Sequence, residues 1–191
     1  MGKVPKLRFE GFEGDWEEKK LGELSDFITK GATPTTYGFD WVEQGIPFFR
    51  NDSLKDNRFV FGDYSYISEE ANQMISRSEI QEDDILVAIT GDIGKVGIVP
   101  EVIKKGNINQ HMARVRIVRD AHPYFVYQLL STNEYQNNYH RIKTGLSMPQ
   151  LSLEQIRATV LYLPLYKEQK KVGVLLKNLD YVFTLHQRKL D

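Results

Sequence analysis

Gly91, Gly94 and Gly97, with Lys95 among them, are the first residues in this chain that resemble a chemical site. A glycine-rich loop cradles phosphate when it follows a strand and opens a helix. Here the apolar runs on either side, residues 85–90 and 96–99, both read as short strands, so the cluster predicts a tight hairpin turn with positive φ. It is no Walker loop either, because Val96 follows Lys95 where a hydroxyl is needed. Lys95, at the tip, stays available to a phosphate. The nearest approach to a metal nuclease is Asp83, Asp84, Glu101 and Lys104, but the last two fall in a predicted loop and the group lacks a motif. His111, His122, His140 and His186 show no paired ligand spacing. No serine sits in a nucleophile elbow, and with no cysteine there is neither thiol chemistry nor a Cys-based zinc site. These residues predict no catalytic centre, no metal and no cofactor.

A second kind of chemistry needs only hydrogen-bonding side chains presented on loops. Base edges are read by Arg or Lys at guanine and by Asn or Gln at adenine. Four regions offer such groups. Thr33, Thr35 and Tyr37 lie in a loop rich in hydroxyls, suited to phosphate contact and stacking. Arg50, beside Asn51 and Asp52, reads either as a base reader or as one half of a core salt bridge. Asn107, Asn109, Gln110 and His111 put four polar side chains in five positions, suited either to DNA or to capping backbone groups. Lys143, Thr144, Ser147 and Gln150 occupy an acid-free segment around Gly145 and form the strongest candidate. The tyrosines from Tyr64 to Tyr139 stand mostly at core-like spacings and read as packing.

The elements that must hold these loops follow from periodicity and punctuation. Residues 1–15 predict an extended arm and 16–24 a short amphipathic segment. Strands are expected at 27–28, at 46–50, where Pro47 implies an edge or a first position, and at 59–61. Ser68 begins a helix as N-cap, with two acids in its first turn. Residues 85–90 read as a buried strand, and the alternation of 113–118 as a half-buried one. Pro123 starts a helix, Ser152 and Gln155 match a capping box, and 159–163 gives a last strand. Beyond it Val172, Leu176, Leu179, Phe183, His186 and Leu190 fall alternately four and three residues apart, a coiled-coil-like stripe for a partner helix or a second copy. No stop signal precedes Asp191, so this helix reads as cut short. The expected class is α+β: a globular domain over 1–163 with a mixed sheet and short helices, then a long coiled-coil-like helix over 164–191.

Bulk properties bound the rest. The chain has 191 residues, 41% of them hydrophobic, enough for one domain with a real core and a small appendage. No run is long enough to span a membrane and no apolar signal stretch follows the first residues, so a soluble, cytoplasmic protein is expected. A net charge of −1 provides no overall basic footprint. The charges are uneven, however: residues 104–119 hold five Lys or Arg and one His, with Arg141 and Lys143 in the same half. A one-sided field can exist within a neutral total.

Several segments, taken in order, resemble the specificity subunits of Type I restriction-modification enzymes. They are Trp16-Glu-Glu-Lys-Lys-Leu-Gly-Glu-Leu24 with Lys30-Gly-Ala-Thr-Pro34, then Ile46-Pro-Phe-Phe-Arg50, then Gly91-Asp-Ile-Gly-Lys95 with Asn109-Gln-His111. Ser152-Leu-Glu-Gln-Ile156, Leu163-Pro164 and Glu168-Gln-Lys-Lys171 complete the series. Each is short, but together they cover nearly the whole chain. The resemblance implies a target-recognition domain followed by a spacer helix, a pair that occurs twice in a full subunit. It implies sequence-specific reading of one half of a bipartite site in double-stranded DNA, with catalysis left to methyltransferase subunits and, through them, to a restriction subunit. It also implies that the methyl donor is held by the partner. The neutral total charge leaves open a rival reading, a protein-interaction adaptor that uses the helix stripe alone.

Overall fold

Short apolar runs punctuated by glycine, proline and polar pairs can give only short strands. The computed structural model describes residues 8–118, 120–145 and 147–187. In its first half are β1 (Glu17–Lys20), α1 (Leu21–Leu24), β2 (Ser25–Lys30), β3 (Ile46–Phe49), β4 (Leu54–Lys55), β5 (Arg58–Phe59), β6 (Ser65–Ile67) and α2 (Glu69–Met74). Then come β7 (Glu79–Ile80), β8 (Ile85–Ala88), β9 (Val96–Ile98), β10 (Gly106–Ile108), β11 (Met112–Ile117), α3 (Pro123–Ser131), α4 (Asn133–Ile142), α5 (Leu153–Arg157), β12 (Val160–Leu163) and α6 (Tyr166–Gln187). The class is α+β, as expected.

Two four-stranded sheets carry the fold. One is antiparallel in the order β2-β11-β8-β9, and the other is mixed, β6-β3-β10-β7, with β3 and β10 parallel. The largest core lies where the first sheet meets the helices, with Ile28, Ile85, Val87 and Val115 against Phe125, Val126, Leu130 and Tyr139. A second core packs Phe49, Ile80, Leu86, Ile108 and Met112. A third gathers Phe48, Ile67, Ala71 and Ile75 beneath α2.

Local signals account for the ends of several elements. The Ser68 hydroxyl accepts from Ala71 N at 3.1 Å and starts α2. Ser152 and Gln155 exchange side chain-to-backbone bonds of 2.8 and 3.1 Å, the reciprocal pair that opens α5. The glycine-punctuated turn joins β8 to β9 as an antiparallel hairpin, with Gly91 and Gly94 both at positive φ.

Elsewhere the structure departs from the sequence expectation. Pro47 is not on an edge strand, because β3 lies between β6 and β10. It is tolerated because pairing with β10 begins only at Phe48, so at Pro47 the strand has β6 alone as neighbour. The strand expected over 59–61 is instead the two-residue β5, paired with β4 around Asp56 and Asn57, both at positive φ. That is the geometry of a tight primed hairpin turn. β11 is buried through its first four residues rather than half-buried, because Arg114 lies over the Phe27 ring at 4.7 Å and donates to Glu79 O at 3.0 Å. The helix begun by Pro123 breaks at Thr132, whose extended backbone separates α3 from α4.

α6 packs on α3 and is tied there by polar groups. Arg8 grips the buried Glu168 with bonds of 2.9 and 2.6 Å, fastening the arm to the first turn of the helix. Gln169 accepts from His122 N at 3.0 Å and donates to Pro164 O at 2.8 Å. Asp180 accepts from Tyr124 and Gln128 at 2.6 and 2.7 Å. The stripe is therefore divided. Val172 and Leu176 pack against the globular core, while Leu179 and Phe183 stay exposed beside Leu175 and Val182. His186 is exposed and Leu190 lies outside the described residues.

Candidate nucleic-acid interface

Parallel neighbours leave a sheet at the same end. Because β3 and β10 run in parallel, Arg50-Asn51 and Asn109-Gln110-His111 emerge together, joined by Asn109 N to Phe49 O at 3.1 Å. A third segment, the loop after β2, is drawn in by Gly31 N to Met112 O at 3.0 Å and Ala32 N to Ile108 O at 3.2 Å. Only glycine permits that approach, since a Cβ at Gly31 would collide with the carbonyls of Ile108 and Asn109. The end of β8 joins through Ile89 N to His111 O at 2.9 Å. The fifth segment follows α4: Thr144 and Gln150 exchange backbone bonds of 2.9 and 2.8 Å, and Leu151 N reaches Ile89 O at 2.9 Å. Five segments thus converge on one edge of the domain.

The side chains at this edge are linked. Thr33 Oγ1 donates to Gln110 Oε1, Gln110 Nε2 meets His111 Nε2 at 3.3 Å, and His111 Nδ1 meets Thr90 Oγ1 at 2.6 Å. Thr90 pairs in turn with Gln150 through the backbone. Gln110, Thr144, Ser147 and Gln150 are exposed, and Thr33 and His111 are half-buried. Thr90 was not among the residues singled out by the sequence. A threonine closing a buried strand carries no local mark, and only its distant partner His111 reveals it.

Not every expected reader belongs to this edge. Asn107 is wholly buried and its side chain faces the interior: its amide donates to Asn72 Oδ1 at 2.9 Å and its oxygen accepts from Ile108 N at 2.8 Å. Asn109 is also buried, its oxygen accepting from His111 N at 3.2 Å. Both asparagines build the turn that presents Gln110 and His111. Among the described residues Arg50 forms no salt bridge; its guanidinium lies 5.0 Å from the Trp41 ring and donates to Ser65 Oγ at 2.9 Å. Lys95 is held by Asp92 at 2.7 Å on the neighbouring turn. Thr35 and Tyr37 are exposed on a 3-10 turn, Pro34–Tyr37, and Lys143 is exposed at the end of α4.

The charge of the edge follows from which segments build it. The stretches 27–39, 102–119 and 135–153 contain no Asp or Glu, and each supplies one of the converging segments. Asp52 and Asp92 enter from the other two. Among the described residues no group of three or more His, Asp or Glu is arranged to hold a metal, and no helix is long and apolar enough to cross a membrane.

Comparison with known proteins gives a consistent result. A family model for the Type I restriction modification DNA specificity domain matches residues 13–191. The specificity subunit of the Type I restriction enzyme EcoBI from Escherichia coli is 28% identical over 165 residues, which span 83% of this chain and 33% of that subunit. Among solved structures, a chain from an assembly of the type I R-M system superposes with a TM-score of 0.67 at 15% identity, over 98% of this chain and 43% of the other. The S subunit of a Type I restriction-modification system from M. genitalium gives 0.62 at 14% identity, covering 94% and 42%. The HsdS subunit from Thermoanaerobacter tengcongensis gives 0.59 at 15% identity, covering 97% and 41%. The chain thus spans about a third of its curated relative and under half of each structural neighbour.

Proposed function

Since the chain belongs to the Type I restriction modification DNA specificity domain family, we propose that it reads one half of a bipartite target in double-stranded DNA. The observation that carries this reading is the convergence of five segments on a single edge, with Thr33, Thr90, Gln110, His111 and Gln150 linked across it. A rigid base with polar, acid-poor loops is what base readout requires. Arg50, Lys95 and Lys143 flank the edge, where their charge serves phosphate contact more readily than base contact.

In this reading the chain carries no catalytic group of its own. Methyltransferase subunits supply the chemistry and the methyl donor, and a restriction subunit joins through them. Residues 1–163 form the recognition unit and 164–191 the spacer segment that carries α6. The exposed face of α6, with Leu175, Leu179, Val182 and Phe183, receives a second helix, either from the same subunit or from another copy.

The test is exchange. Residues 13–163 are replaced by the corresponding segment of another specificity subunit, and the methylated motif in cells is read by sequencing. One half of the motif is expected to change while the other half and the spacing remain. An unchanged motif would remove DNA reading from this chain.

A further inference from the structure

Gln110 stands at the tip of the turn between β10 and β11, above two buried asparagines. Its three rotors would ordinarily let the amide sample many orientations, yet both of its ends are held. With the amide in this orientation its nitrogen donates to His111 Nε2, 3.3 Å away. That nitrogen of His111 is then the unprotonated one. The ring proton sits on Nδ1 and is donated to Thr90 Oγ1 at 2.6 Å. At the other end the Thr33 hydroxyl donates to Gln110 Oε1. The four residues form a one-way chain from Thr33 through Gln110 and His111 to Thr90.

The count of what remains is specific. Gln110 keeps one N–H and one oxygen lone pair, and its side chain is exposed. An adjacent donor and acceptor complement the major-groove edge of adenine, which offers the N6 amino group and the N7 acceptor. Guanine presents two acceptors and would need two donors, which the spent nitrogen no longer has. Cytosine and thymine each leave one end of the amide unpaired.

Resting on the DNA-reading assignment above, we infer that Gln110 reads an adenine in the half-site, and that Thr33, His111 and Thr90 are positioning residues that hold its amide at both ends and leave one donor and one acceptor free. Thr90 lies beneath the edge and needs no contact with DNA to act. Its role is to hold the His111 ring in place.

The experiment selects duplexes from a random library with the intact subunit assembled with its methyltransferase partner, then sequences the bound pool. The wild type is expected to enrich a motif with an A·T pair at one position, preferred about tenfold or more. Gln110→Ala loses the preference at that position alone, and Gln110→Glu, an acceptor only, turns it toward cytosine. Thr90→Val weakens the same position and no other, while Thr90→Ser restores it. A general folding defect would lower enrichment everywhere and would not be rescued at a single position. A motif unmoved by Gln110→Ala, or a guanine at the affected position, overturns the inference while leaving DNA reading intact. A wild-type pool with no enriched motif overturns DNA reading and this inference with it.

Discussion

Tyr124, Tyr127, Tyr135 and Tyr139 carry their phenols into the largest core. Burial raises all four above the usual tyrosine value of about 10, and Tyr127, Tyr135 and Tyr139 are pushed up to about 12. For Tyr124 the Asp180 carboxylate adds to the effect of burial. The folded state therefore favours the neutral phenol. The stability tied to that preference is complete below about pH 10 and is lost as pH rises toward about 12, because the unfolded chain releases these protons first. Absorbance at 295 nm is expected to show the buried set ionising only well above pH 10, together with loss of helical circular dichroism. Tyr139→Phe should shrink that late step by one tyrosine. A single step near pH 10 with the fold intact would contradict the placement. At this scale the sequence was readable in part. The core spacing of the tyrosines was legible, but Asn107 and Gln110, three residues apart and chemically alike, differ only through Asn72 and Thr33 at 35 and 77 residues' distance. Partners so remote leave no trace in local pattern.

Among the elements, α6 depends on Gly173. A Cβ there would meet His122 Nδ1 at 2.7 Å and Phe125 N at 3.4 Å, so the glycine lets α6 lie close against α3. Gly173→Ala is expected to cost about 1–3 kcal/mol, as overpacking does. Gly62 has open space around it, and Gly62→Ala should be neutral or stabilise by about half a kcal/mol through the unfolded chain. Urea midpoints compared at constant slope separate the two, and equal midpoints would mean that α6 does not need the close approach. Elements with local marks were legible in advance. The Ser68 and Ser152 caps, Pro123 at a helix start and the β8–β9 hairpin are all written within a few residues. The parallel pairing of β3 with β10 joins residues about sixty positions apart, and the burial of Arg114 depends on Phe27 from another strand. Neither has a local signature.

For the molecule as a whole, the exposed face of α6 is the feature whose behaviour in solution can be tested. Leu175, Leu179, Val182 and Phe183 are each more than two-fifths exposed, a large apolar surface for one helix. Sedimentation is expected to show concentration-dependent self-association, abolished in the double variant Leu179→Glu, Val182→Glu. A wild-type chain monomeric at every concentration would mean that the face is reserved for a helix of another kind. The α+β class and the elements with local marks were thus legible from sequence, whereas strands such as β7 and β10 and the meeting of five segments at one edge required the three-dimensional pairing. The turn built on Asn107 and Asn109 has a further meaning for how such a molecule changes over generations. The two asparagines are buried while Gln110 above them is exposed, so substitutions at the tip are expected within the range of about half a kcal/mol typical of surfaces. On the proposed reading, lineages can alter what the tip recognises without passing through unfolded intermediates, and selection on target choice is largely uncoupled from selection on folding.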